Sequence, residues 1–180
     1  MPVENEKKFV LHLLPRLEKF FSKMAEEILV ISQAYLLRSK GLTVRIRKQK
    51  DRRDKVKYYF TTKQKVEGKI IEIEKRIEAT DFDDLAKVAD GWVHKIRYVV
   101  KSWEIDFFKK GKETYFIMAE IEMPHGMDEP KVVPEFVAEH LLFKVPRNDC
   151  RFSSKKLSDV DYATSLLKDV LEKENVNKPK

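Results

Sequence analysis

Cysteine is nearly absent from this sequence: Cys150 is the only one in 180 residues. A single thiol excludes an internal disulfide and any cysteine metal cluster. Glycine is scarce as well, with five residues in all, and each is expected to punctuate the chain at a turn. No stretch approaches the roughly 20 consecutive apolar residues that cross a bilayer. The start, Met-Pro-Val-Glu-Asn-Glu, lacks a cationic segment followed by an apolar run. Repeats and low-complexity linkers are missing too, so a second domain has no place to begin. The expectation is a soluble, cytoplasmic protein without membrane association, monomeric or homodimeric. It should form one domain over 1–172 with a frayed polar tail at 173–180.

Charge is abundant. Charged residues make up 37% of the chain, 37 basic against 30 acidic, for a net +7. That balance points to anionic partners such as nucleotides, polyphosphate or nucleic acid. The 42% hydrophobic content at this length suffices for a sizeable core. Strands are expected at VENEKKF, ILVISQAYLLRS, LTVRIRKQ, VKYYFTTKQK, IIEIEKRI, KIRYVVKSWEIDFF (two strands around Lys101 and Ser102) and TYFIMAEIEM. Amphipathic helices are expected at 15–28, 82–90 and 158–172, the last capped by Ser158, and a short one in PEFVAEHLL. The basic stretch 48–57, KQKDRRDKVK, reads first as a solvated hairpin loop. Its functional readings are an electrostatic funnel or an RNA-backbone contact.

One pattern recurs through the strands. Like charges stand two apart at Glu4/Glu6, Arg45/Arg47, Glu72/Glu74, Lys95/Arg97, Glu104/Asp106 and Glu120/Glu122, and the alternate positions are largely apolar. Because strand side chains alternate, each strand has a charged face and an apolar face. A solvent face normally mixes signs, since neighbouring like charges repel. The pairs fit better inside a closed barrel whose charged faces line a wet tunnel and whose apolar faces lie under helices. The lining, with Lys8 and Lys63 added, holds eight carboxylates against six cations. Arginine forks suit phosphate oxygens, yet a net negative lining would repel a polyanion. Divalent cations on the glutamates remove the conflict, and oxygen-only ligands point to Mg2+ or Mn2+ rather than zinc. Glu4 and Glu6 are thus expected to hold metal while Lys8 meets phosphate.

The ordered set of motifs resembles the CYTH superfamily, the triphosphate tunnel metalloenzymes. It comprises Glu-x-Glu-x-Lys at 4–8, QAYL around Tyr35, VRIR at 44–47, TTK ending at Lys63, EIE at 72–74, KIRY at 95–98, WEIDFF at 103–108, AEIE at 119–122 and CRFSSKKL at 150–157. The resemblance implies an α+β fold, an eight-stranded antiparallel closed β-barrel forming a tunnel. It implies Mg2+- or Mn2+-dependent hydrolysis of the terminal phosphoanhydride of a triphosphate, with inorganic tripolyphosphate first and nucleoside triphosphate next. Alternatives are a class IV-type adenylate cyclase, a thiamine triphosphatase, or a non-catalytic tunnel that binds polyphosphate, nucleotide or RNA. By position, Glu4, Glu6, Glu120 and Glu122 resemble the metal ligands. Lys8, Arg45, Arg47, Lys63, Lys95, Arg97 and Arg151 resemble the phosphate cradle. Lys8, Glu74, Glu104 and Tyr35 are the catalytic candidates, with a structural role for Tyr35 weighed equally. Two departures stand out: Ile70 occupies a position where the family often has arginine, and Arg-Phe-Ser-Ser replaces Arg-Tyr-Ser-Asn at 151–154. Cys150 is expected to be buried and inert.

Overall fold

A computed structural model describes residues 5–39, 41–147 and 149–176. The chain runs β1 (Glu6–Leu11), α1 (Leu17–Met24), β2 (Glu27–Ser39), β3 (Leu42–Lys50), β4 (Val56–Val66), β5 (Lys69–Ile77), α2 (Ala79–Ala86) and β6 (Asp90–Val100). It continues through β7 (Trp103–Lys110), β8 (Glu113–Glu122), α3 (Glu135–Ala138), β9 (Leu141–Lys144), a 3₁₀ turn at Cys150–Phe152, α4 (Ser154–Leu157) and α5 (Val160–Val176). All nine strands belong to one antiparallel sheet in the order β5-β4-β3-β2-β6-β7-β8-β1-β9.

Two tight hairpins show how sequence sets register. Lys101 and Ser102 both take positive φ (48° and 70°) between the paired residues Val100 and Trp103. This is the backbone twist that a two-residue hairpin needs. Glu67 and Gly68 do the same between Val66 and Lys69. With register pinned, alternation sorts the side chains. Phe9, Leu11, Tyr98, Val100, Trp103, Ile105, Phe107, Ile117 and Ala119 face outward and pack under α1 and α3. On the other half of the sheet, Ala34 and Ile46 pack under Phe82 of α2.

Several expectations need correction. Among the described residues the sheet has nine strands, not eight. The ninth, Leu141–Lys144, falls in a stretch read from sequence as the end of a helix, because the apolar run LLF has no alternation to mark it as a strand. Pairing does not close the sheet: β5 and β9 are its edges, and no ladder joins them among the described residues. The segment after β9 supplies wall instead, since Ser153, Ser154, Lys155 and Lys156 line the same cavity as Ile70 and Ile73 of edge strand β5. Helix α1 is shorter than 15–28, and Ile28 already lies in β2. Helix α2 begins and ends earlier than 82–90. Helix α5 runs to Val176, into the stretch expected to fray. It starts after Asp159, whose carboxylate accepts from the Tyr162 amide (3.0 Å), whereas Ser158 donates to the Lys155 carbonyl.

The largest departure concerns what α5 covers. It packs on Val10, Val93, Phe108, Phe116 and Met118. Val10, Phe108 and Met118 stand two residues from Lys8, Asp106 and Glu120 on the same strand faces. The inner face is therefore charged over one stretch and apolar over the next, and α4 and α5 cover the apolar stretch rather than the outside of the sheet.

Phe21 of α1 is fully buried and meets Phe107 and Phe136 edge-on. Phe21→Ala should cost about 3–5 kcal/mol of unfolding free energy, measured by chemical denaturation. An exposed phenylalanine would show a small fraction of that.

Candidate active site

The charged faces of eight strands enclose a cavity of about 1080 Å3. Behind the lining residues Lys95 and Arg97 lies Asp106, which has no exposed surface. Arg97 forks onto it, Nε to Oδ1 and Nη2 to Oδ2, both at 2.7 Å, and Lys95 donates to Oδ2. The register dictates this meeting, because Arg97 and Asp106 are cross-strand partners and Lys95 lies one inward position away. Burial alone would raise the Asp106 carboxyl, but Arg97 and Lys95 outweigh it and hold the group below the ordinary range. Burial likewise opposes the Arg97 charge, and Asp106 with Glu104 and Glu120 overcomes it. Lys95 shows the reverse balance: burial and the neighbouring Arg97 push its ammonium down despite Asp106.

Glu120 accepts from Lys8 at 2.9 Å and lies 3.4 Å from Arg97 Nη2. Burial works against its charge, yet Lys8, Lys95 and Arg97 hold it far below the usual carboxylate range. Glu104 also pairs with Arg97. Here burial, reinforced by Glu120 and Asp106, wins over the guanidinium and raises the carboxyl.

The opposite wall is built by β3, β4 and β5. Rows set by the register place Lys63 beside Glu72 and Thr61 beside Glu74. Glu72 holds Arg45 (3.2 Å) and Lys63 (3.1 Å), and Glu74 holds Arg47 (2.8 Å) and the Thr61 hydroxyl (2.9 Å). Arg47 also lies 4.9 Å from the Tyr59 ring centroid. The Nε atoms of Arg45 and Arg47 are both buried with no hydrogen-bond partner among the described residues. Burying such donors without acceptors costs free energy. Two adjacent guanidiniums lining one cavity suit an anion. Burial accordingly lowers the Arg47 pKa, with Arg45 and Arg97 adding to the effect against Glu74. Tyr35 is buried on the same inner surface, its hydroxyl accepting from Gln33 Nε2 (3.1 Å), and burial raises its pKa.

At the outer end of β1 and β8, Glu6 pairs in register with Glu122, and Lys8 with Glu120. Lys8 Nζ lies 3.3 Å from Glu6. Glu4 lies outside the described residues. Among the described residues, no three His, Cys, Asp or Glu side chains converge in a metal-holding group. Glu6 and Glu122 nevertheless form a facing pair of carboxylates, the oxygen-only donor type that suits a hydrated Mg2+ or Mn2+ taking its other ligands from phosphate and water.

The cavity thus gathers Glu6, Lys8, Tyr35, Arg45, Arg47, Lys63, Glu74, Lys95, Arg97, Glu104, Glu120 and Glu122. Arg151 is not in its lining, and its guanidinium is forked onto Asp149 (3.0 and 2.7 Å). Lys155 and Lys156, four and five residues on, line the cavity instead. Gln33 and Lys65 were missed, although each stands two residues from a chosen position, Tyr35 and Lys63, on the same strand face. Cys150 is exposed rather than buried, and Lys156 Nζ lies 3.8 Å from its sulfur. In the basic 48–57 hairpin, Arg52 serves the fold by donating to the Ser22 and Ala25 carbonyls at the end of α1 (3.0 and 3.2 Å). None of the helices, among the described residues, is long and apolar enough to cross a membrane.

Asp106→Asn would leave Lys95 and Arg97 buried without a full counter-charge. It should cost about 3–5 kcal/mol of stability. Because the Asp106 and Glu120 carboxyls titrate lower when folded, their stabilisation is complete above the unfolded carboxylate range, about pH 4. It is lost as pH falls from there through the folded values. Urea titrations between pH 7 and 3 should show this decline, and it should be shallower in Asp106→Asn.

No protein-family model matches the sequence, and no curated protein matches it either. Among solved structures, the crystal structure of the inorganic triphosphatase NE1496 is similar with a TM-score of 0.52 and 22% identity, over 86% of this chain and 97% of that one. The PH1819 protein from Pyrococcus horikoshii OT3 aligns with a TM-score of 0.48 and 16% identity, over 96% and 92%. At these identities the likeness is one of fold. The chain has the fold of the inorganic triphosphatase NE1496.

Proposed function

We propose that the protein is a Mg2+- or Mn2+-dependent triphosphatase that hydrolyses the terminal phosphoanhydride of a triphosphate, inorganic tripolyphosphate first among them. The observation that carries this reading is the convergence of Lys8, Arg45, Arg47, Lys63, Lys95 and Arg97 on one cavity. The activity of NE1496, whose fold this chain shares, favours hydrolysis over binding alone.

In this mechanism Arg45, Arg47 and Lys63 bind phosphate oxygens, and Glu72 and Glu74 keep those cations oriented. Arg97 and Lys8 neutralise charge that develops on the transferring phosphoryl group. A divalent cation held by Glu6 and Glu122 would supply further neutralisation of the phosphate oxygens. Water attacks the terminal phosphorus in line: its oxygen bonds to phosphorus, the bridging P–O bond breaks, and pyrophosphate leaves. Glu104, the cavity carboxyl raised by burial, receives the proton of that water. Tyr35 keeps its proton at neutral pH and orients the chain of phosphates.

Phosphate release from tripolyphosphate should require Mg2+ or Mn2+ and be abolished by EDTA. Arg45→Ala and Glu6→Gln should each lower kcat/KM by about 100-fold or more, while unfolding midpoints change little. Wild-type turnover in Glu6→Gln would refute the metal assignment. Turnover should also decline as pH falls through the Glu104 value, which lies above the usual 4.3 or so. Glu104→Gln should lower kcat and remove that acidic limb from the pH profile.

A further inference from the structure

The outer end of β1 carries a polar clip that the phosphate chemistry does not use. Asn5 stands just ahead of Glu6, and its side-chain amide donates to three carbonyls of one turn: Met123 (3.4 Å), Pro124 (2.8 Å) and Met127 (2.9 Å). Its backbone amide donates to Glu122 Oε1 (3.1 Å), and its carbonyl accepts from the Met123 amide (2.8 Å). The turn closes on itself through Met127 N to Pro124 O (3.2 Å), with Gly126 at φ 87°. A few residues on, Glu129 accepts from Lys7 (2.8 Å) and Lys144 (2.7 Å), tying the same segment to β1 and β9.

The alternation of β1 gives this clip its meaning. Glu6 and Lys8 point into the cavity, and Lys7 points away from it. Every contact of the Asn5 amide lies on the connection leaving β8, immediately after Glu122. Glu6 with Glu122 is the outermost pair of the β1–β8 ladder among the described residues, and the Asn5 side chain adds its bonds just beyond it. Two carboxylates that repel each other across a ladder do not hold a fixed separation by themselves. The Asn5 backbone bond also restrains one Glu122 oxygen.

We propose that Asn5 is a positioning residue for a divalent cation. By locking the 123–127 turn to β1, it keeps the Glu6 and Glu122 carboxylates facing each other across the ladder, where they would hold a Mg2+ or Mn2+ ion. This inference rests on the metal-dependent reading above. Residues that orient metal ligands through hydrogen bonds change metal affinity by about 10- to 100-fold when removed. Asn5→Ala should therefore weaken Mn2+ binding by a factor in that range, and binding of tripolyphosphate in EDTA, which depends on the Arg and Lys groups, should stay as in wild type.

Mn2+ binding to the whole chain, followed by electron paramagnetic resonance and calorimetry without turnover, tests this. Two companions separate positioning from general loosening. Gly126→Ala strains the turn that presents the carbonyls, since φ is positive while no atom lies within 4 Å of the added Cβ. It should fold and lose Mn2+ affinity a few-fold. Glu129→Ala unties the far end of the segment and should leave Mn2+ affinity at the wild-type level. Wild-type affinity in folded Asn5→Ala, or in Gly126→Ala alone if Asn5→Ala does not fold, would overturn the proposal. So would equal losses in Asn5→Ala and Glu129→Ala. If wild type itself binds no Mn2+, the metal-dependent reading falls first, and this inference falls with it.

Discussion

The carboxylate of Asp106 is the anchor on which the charged interior depends. It is fully buried, and it answers both Arg97 and Lys95, which burial would otherwise penalise heavily. Remove that charge, and the two cations lose the group that makes their burial tolerable. From this centre the ion pairs spread outward, to Glu120 and Lys8 on one side and to Glu104 on the other. Across the cavity, Arg45, Arg47 and Lys63 are held by Glu72 and Glu74 in a separate set. The two sets differ in one respect that bears on function. Asp106 takes both ends of the Arg97 fork, whereas Arg45 and Arg47 each make one carboxylate contact through Nη2, to Glu72 and Glu74.

Such an interior is possible because strand alternation and helical cover act together. One face of each strand is given to charge, the other to Phe, Ile and Trp under α1, α2 and α3. The inner face turns apolar where Val10, Phe108 and Met118 replace the charged residues, and α4 and α5 pack there. The polar lining is thereby confined to the charged stretch. A cavity with one dry boundary keeps its electrostatic interactions stronger than an open groove would.

Most of the site was legible because a charged strand face follows directly from the spacing of its residues. Arg45 and Arg47, or Glu72 and Glu74, must share a face if the segment is a strand, and the register then brings Lys63 to Glu72 without further information. Neighbours at the same spacing, Gln33 and Lys65, were equally readable but carried no like-charge partner to draw notice. Arg151 was misplaced for a different reason. It lies in a 3₁₀ turn, where no fixed alternation relates sequence position to direction, and the nearby Asp149 captures its guanidinium. The ninth strand escaped because four residues are too few to show a period. The open ladder between β5 and β9 is a matter of tertiary closure that no local pattern encodes.

The central claim is that this cavity cleaves a phosphoanhydride with the help of a divalent cation. Phosphorus NMR of tripolyphosphate incubated with the protein tests it most directly, because substrate and both products resolve in one spectrum. The account predicts equal amounts of phosphate and pyrophosphate appearing with Mg2+ or Mn2+, and an unchanged spectrum in EDTA. Tripolyphosphate that stays intact with either metal, yet shifts and broadens as a bound ligand, would contradict it and leave a cavity that holds the anion without cleaving it.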